Sequence, residues 1–256
     1  MLEIPTPPGL VVSEVSGGVV TVTIDRPDKA NSVSRAMHTR LCTLWSEISA
    51  EPDVRAIVVT GTGTVFCSGG DRSEWGDLLD DRTWRDRKMY EARTIITEVL
   101  SCPVPIVAAV NGAAIGFGCS LAVACDVLVM AEDAYLRDPH VAAGLVAGDG
   151  GAALLPEVLP LAVARRMLFG GDRLSAREAH QHSLAHDVVA LDRLHDRALE
   201  LAHELAAQPR EALQGTKYAI NLGLLTKIRG VLAVSAESET RSFDSAEFRA
   251  TTRPAD

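Results

Sequence analysis

The chain has 256 residues, 47% of them hydrophobic and 23% charged, and a formal net charge of −9. This length suits a core domain with a small terminal appendage, and the composition is that of an ordinary globular chain rather than a disordered one. The acidic balance argues against nucleic acid or a membrane surface as partner, because phosphate binding needs a concentrated positive field.

The first residues carry neither the basic nor the apolar region of a secretory signal. Cysteines 42, 67, 102, 119 and 125 form no CxxC and sit mostly in apolar runs, as expected of buried, reduced thiols in a cytoplasmic protein. Residues 10–25 place two β-branched runs on either side of Gly17-Gly18, the pattern of a β-hairpin. From Ser34 to Ala50, Met37, Leu41, Leu44, Trp45 and Ile48 recur at helical spacing, with Ser32 or Ser34 available as N-cap. Residues 55–60 form a short apolar strand that enters the glycine-punctuated segment 61–71. A charged helix is expected over 80–100, a buried strand over 106–110, a helix from about Phe117 and a strand over 126–130. The apolar stretch 104–130 is cut by Pro103, Pro105, Asn111 and Gly112 into pieces too short to span a membrane. Beyond residue 190 the pattern is helical, over 191–207, 210–225 and 231–243.

Strand, glycine loop and helix thus follow one another twice, at 55–75 and 106–125, which suggests related ββα-type turns. No GxGxxG stands between a strand and a helix, and no GxxxxGK occurs. The turns Ser68-Gly69-Gly70-Asp71 and Ile115-Gly116-Phe117-Gly118 could each present a backbone N–H to one point, which is what stabilising an oxyanion requires. His140, in Asp138-Pro139-His140, can take a proton near neutral pH. Asp149, in the Gly-rich segment 144–151, would fix the histidine's tautomer if the loop folds back. His180, His182, His186 and His195 show no arrangement typical of zinc, and no metal is expected.

Phe66-Cys-Ser-Gly-Gly-Asp71 resembles the F-C-x-G-x-D signature of the crotonase (enoyl-CoA hydratase/isomerase) superfamily, and Val110-Asn-Gly-Ala-Ala-Ile-Gly-Phe-Gly-Cys-Ser120 resembles its V-N-G-x-x-x-G-x-G-x-E segment. Asp25-Arg-Pro with Asn31, and the segment Gly170 to Ala179, match two further landmarks in order. The resemblance implies an α/β fold: a spiral of ββα units over residues 1–190 and a C-terminal helical trimerisation region over 191–256. It also implies a homotrimer or dimer of trimers, and an acyl-CoA thioester or related carbonyl substrate, with coenzyme A as part of the substrate and no separate cofactor. The oxyanion donors would be the amides of Gly70 and Phe117. Ser68, Asp71, Trp75 and Arg249 would meet the substrate, Arg249 and Arg253 near the coenzyme A phosphates.

At the two positions where the family places glutamates for hydration stand Ser120 and His140. Ser120, a catalytic candidate by its position, cannot act as a carboxylate, so the proton chemistry falls to His140 with Asp149 as its partner in a base. This pair resembles that of oxocamphor hydrolase, a relative that cleaves β-diketones and has a further glutamate aligning with Glu237. The expected function is acyl-CoA processing of the hydratase/isomerase type. The alternatives are hydrolysis of a C–C bond or thioester in a β-diketone or acyl-CoA, and non-catalytic acyl-CoA binding.

Overall fold

The computed structural model describes residues 4–253, so the outer ends of the two expected regions lie outside the described residues. Strands β1 (Leu10–Val15) and β2 (Val19–Ile24) pair antiparallel, from Leu10 opposite Ile24, as the Gly-Gly turn implies. Gly17 and Gly18 both lie at positive φ, 74° and 78°, where a side chain would be strained. After α1 (Arg35–Ala50), β3 (Ala56–Gly61) adds parallel to β2. A six-stranded sheet is completed by β5 (Ile106–Val110), β7 (Val127–Ala131) and β10 (Asp187–Val189), in the order β1-β2-β3-β5-β7-β10. Its inner strands are almost wholly buried, hence the unbroken Val/Ile runs.

Between these long strands the chain makes short excursions into a second sheet, ordered β4-β6-β8-β9 and built from β4 (Val65–Cys67), β6 (Ala113–Ile115), β8 (Tyr135–Arg137) and β9 (Arg173–Ser175). Three-residue strands are too short to show a periodicity, and in sequence they are indistinguishable from loop. Each unit therefore runs from the large sheet to the small one and then into a helix: α2 (Trp75–Asp80) and α3 (Arg82–Ser101) after β4, and α4 (Phe117–Ala124) after β6. Strands β4, β6 and β8 are mutually parallel, which puts the three loops that follow them at one end of the sheet.

Two asparagines pin these loops. Asn111 accepts from Gly61 N–H (3.2 Å) and donates to Gly63 O (2.7 Å), while Asn31 Nδ2 donates to Thr62 O (2.9 Å) and Val65 O (2.6 Å). Asp126, the lone charge in the apolar stretch, accepts from Lys217 Nζ at 2.6 Å.

The remaining helices are α5 (Gly151–Val158), α6 (Leu161–Gly170), α7 (Ala176–Gln181), α8 (Leu191–Ala206), α9 (Arg210–Ser242) and α10 (Ala246–Thr252). Helix α8 covers the large sheet, and α9 crosses α3 and α5. The sequence pattern suggested two helices where α9 is continuous. Ile228 and Leu232 are both buried and lie one turn apart across the polar stretch, so packing carries the helix through it. Helix α9 is long and apolar enough to cross a membrane. Its inner face nevertheless carries buried Lys217, Asn221 and Glu239 bonded to the core, while Tyr218, Ile220, Val231 and Val234 are exposed.

Candidate active site

The turn after β4 is held from below. Arg26 Nη2 lies 2.8 Å from Asp71 Oδ2, and Arg26 Nη1 donates to Ser32 O at 2.7 Å. Asp71 Oδ1 accepts from the Ser73 amide at 3.0 Å and its hydroxyl at 2.6 Å, so Asp71 caps the following turn as well as bordering the cavity. Val33 N–H donates to Gly69 O (2.8 Å), and Asp71 N–H donates to Val33 O (3.0 Å). In this parallel bridge the intervening Gly70 N–H points away from Val33.

The next turn lies alongside. Gly116 (φ 55°, ψ −120°) is the N-cap of α4, so Phe117 opens the helix and its N–H has no acceptor within it. A methyl on Gly69 would come within 3.8 Å of Phe117 N. Gly70 and Phe117 line one cavity of about 630 Å³, together with Ser68, Trp75, Lys88, His140, Asp149 and Glu239. The Phe117 ring packs against His38, with centroids 5.4 Å apart.

From the end of β8, His140 reaches the same cavity wall, with Asp138 fully buried behind it. His140 Nδ1 lies 2.6 Å from Asp138 Oδ1, and Nε2 lies 3.2 Å from Asp149 Oδ2. Gly150, at φ 129°, provides the backbone turn that follows Asp149 and leads into α5. Ser120, buried in the first turn of α4, donates its hydroxyl to Asp149 Oδ1 at 3.2 Å. The nine-residue separation of His140 and Asp149 in sequence is thus closed in space, and Ser120 joins them.

Electrostatics give the cluster its state. Burial alone would lower the His140 pKa, but the charges of Asp149 and Asp138, and hydrogen bonds to both, raise it well above the ordinary histidine value. Burial alone would raise the Asp149 pKa. The His140 charge and hydrogen bond, Lys88 and the Ser120 hydroxyl together hold it below the usual carboxylate range. The two carboxylates favour the charged imidazole, which must lose a proton before it can act as a base. The ligand-type atoms of Asp138, His140 and Asp149 lie within 4.8 Å of one another. Since the imidazole uses both nitrogens on the two carboxylates, a cation would have to displace one of these bonds.

Three groups were given no role by the sequence pattern, although Asp138 stands in the motif around His140. Asp138 is fully buried and makes the shorter of the two His140 contacts. Glu239, on α9, is 2% exposed, lines the cavity and accepts from Gly148 N–H at 2.8 Å. Burial is the largest influence on Glu239 and pushes its carboxyl up to about 7. Lys88 borders the cavity with no hydrogen-bond or ion-pair partner among the described residues.

Glu237, two residues from Glu239, points elsewhere: it is exposed and pairs with Arg241 at 2.5 Å. Arg249 does not line the cavity and lies 3.5 Å from Asp244 Oδ1, and Arg253 is held by Asp80 at 2.5 Å. The five cysteines are free. Burial pushes the Cys67 thiol up to about 12, so it is not a nucleophile at neutral pH.

The sequence pattern of the enoyl-CoA hydratase/isomerase family matches residues 14–253. Among similar proteins, 1,2-epoxyphenylacetyl-CoA isomerase of Escherichia coli is 30% identical over 93% of this chain and 92% of its own length. The short-chain-enoyl-CoA hydratase of Clostridium acetobutylicum is 30% identical over 89% of this chain and 87% of its own length. The crystal structure of an enoyl-CoA hydratase/isomerase from Mycobacterium paratuberculosis superposes with a TM-score of 0.94 at 34% identity, covering 98% of this chain and 100% of that one.

Proposed function

The chain belongs to the enoyl-CoA hydratase/isomerase family, and from that premise we propose that it adds water to the double bond of an enoyl-CoA thioester with an acid and a base unlike two glutamates. The carbonyl oxygen sits on the N–H groups of Gly70 and Phe117, where the α4 dipole adds to their effect. Glu239, poised near neutrality, takes a proton from water as the hydroxyl adds at C3. The double-bond electrons move toward C2 and the carbonyl oxygen, giving an enolate. His140 then donates its Nε2 proton to C2, leaving a neutral imidazole hydrogen-bonded to Asp138. In the reverse direction the same His140–Asp149 pair is the base.

The observation that carries this reading is the placement of the charged His140–Asp149 pair and the near-neutral Glu239 on the wall of the cavity that holds both N–H donors. Ser120 keeps Asp149 oriented and takes no proton. Ser68 and Trp75 border the substrate, and the protein works in the cytoplasm as a trimer or dimer of trimers without a further cofactor.

The test is to mix the protein with crotonyl-CoA and follow enoyl absorbance and free thiol together. Loss of absorbance without thiol supports hydration. Thiol release favours the hydrolytic reading, in which Glu239 directs water at the carbonyl. Binding without either signal over a series of chain lengths would leave only an acyl-CoA-binding role.

A further inference from the structure

Behind the turn that carries Gly70 lies a small side pocket of about 20 Å³, lined by His38, Lys88, Phe117, Trp84 and other residues. It shares Gly70, Asp71, Trp75, Leu78, Lys88 and Phe117 with the large cavity, so the two spaces adjoin. That volume suffices for one polar heavy atom or a water.

Two polar groups border it, one buried without a partner and one a half-buried cation. His38 is 5% exposed, and its Nε2 has no hydrogen-bond partner among the described residues. Its other nitrogen, Nδ1, lies 2.9 Å from Glu91 Oε2, and the Glu91 carboxylate is itself fixed by the Thr39 hydroxyl (2.9 Å) and Arg87 Nε (2.8 Å). A carboxylate can only accept, so Nδ1 carries the hydrogen. Burial, the largest influence, keeps the imidazole pKa below its ordinary value, which leaves Nε2 as a bare acceptor. Lys88 supplies the opposite need. Its ammonium lies beside Gly70, 3.8 Å from where a methyl on that residue would sit, and it has no partner among the described residues.

One acceptor and one cationic donor on a one-atom pocket are satisfied together by a hydroxyl, which gives its proton to Nε2 and accepts from Nζ. A carboxylate would satisfy Lys88 but face the Nε2 lone pair. A methyl would leave the buried His38 Nε2 unpaired, and a buried group left unpaired is penalised more than a made bond is rewarded. Accordingly, we infer that His38 and Lys88 form a specificity site for an acyl group that bears a hydroxyl beyond the reacting double bond. This rests on the acyl-CoA reading above and names the substrate class within it. A water held in the pocket would have the same chemistry, and the experiment below separates the two.

The experiment compares matched enoyl-CoA thioesters, each with and without a hydroxyl at successive chain positions, by KM and by equilibrium binding. It uses the unmodified protein, His38→Phe and Lys88→Met. At one chain position the hydroxylated member is expected to bind at least about ten-fold more tightly than its deoxy partner, with the ratio falling toward one in both variants. Lys88 makes no hydrogen bond or ion pair among the described residues, so Lys88→Met keeps the test informative if His38→Phe, which strips Glu91 of one of its three partners, fails to fold. A ratio near one in the unmodified protein would overturn the assignment. So would variants that weaken both members alike, the result expected of a resident water or of a lysine that assists the oxyanion. Binding of neither member would overturn the acyl-CoA reading itself and the assignment with it.

Discussion

His140 lies closer to Asp138, at 2.6 Å from Nδ1, than to the more distant partner in sequence, Asp149, at 3.2 Å from Nε2. The tighter bond comes from a residue two positions away that is fully buried and reached through a proline. Asp138 therefore fixes the ring, and Asp149 faces the nitrogen whose proton can leave.

Replacing Asp138 with Asn removes one of the charges that raise the His140 pKa. The imidazole pKa, followed by NMR, should fall, and turnover at neutral pH should drop on the order of a hundred-fold as the proton donor is lost. The linked effect on stability has a definite sign. A histidine whose folded pKa is raised contributes stability that is fully present below its unfolded value of about 6.5 and is lost as pH rises through the folded value. The destabilisation of His140→Gln, measured in urea, should accordingly be large near neutrality and shrink in alkaline solution.

Glu239 has the opposite role. Its carboxyl, raised to about 7, holds a proton that the unfolded chain releases at lower pH, so its burial costs stability as pH rises from the unfolded value through 7. Glu239→Gln should be more stable than the parent above neutrality, by on the order of 1–3 kcal/mol, and should lose the pH dependence of hydration near 7. A pH–rate profile identical to that of the parent would count against its role as base.

A methyl on Gly116 would sit 3.2 Å from His140 Cε1 on a backbone with φ 55°, so Gly116→Ala must shift both the ring and the start of α4. Loss of one oxyanion donor removes about 3 kcal/mol of transition-state stabilisation, and turnover should fall by about a hundred-fold or more. Equilibrium binding of coenzyme A alone should change far less.

The exposed apolar side of α9 is expected to be covered by further copies of this chain. Tyr218 and Ile220 are each 67% exposed and Val234 65% exposed, too much apolar surface on one helix to leave in water without cause. Light scattering should give a trimer or its multiple, and Ile220→Glu with Val234→Glu should reduce the mass. A monomer before substitution would contradict this.

The strand-turn-helix units were legible in the sequence because their long strands are continuous apolar runs and their turns are glycine-rich, and the family resemblance singled out Gly70 and Phe117 within those turns. The reason that Asp25-Arg-Pro and Asn31 accompany this pattern is structural, since Arg26 braces Asp71 and Asn31 holds the neighbouring loop. Glu239 was missed in favour of Glu237 because two residues on a helix lie nearly opposite one another, and only packing says which faces inward. A signal was present: Leu232, Ala236, Glu239 and Phe243 fall at three- and four-residue spacing and form one buried stripe. Lys88 stands in a charged helix and carries no mark in sequence. Its lack of a partner is visible only once the cavity is formed.

The central claim is that Gly70 and Phe117 stabilise an enolate whose C2 proton is exchanged by His140 and Asp149. It is tested most directly by incubating the protein with a saturated acyl-CoA such as butyryl-CoA in deuterated water and measuring deuterium at C2 by mass spectrometry. The account predicts incorporation by the parent protein and a loss on the order of a hundred-fold or more in both His140→Gln and Asp149→Asn. No incorporation by a protein that binds the thioester, or incorporation that survives both substitutions, would contradict it.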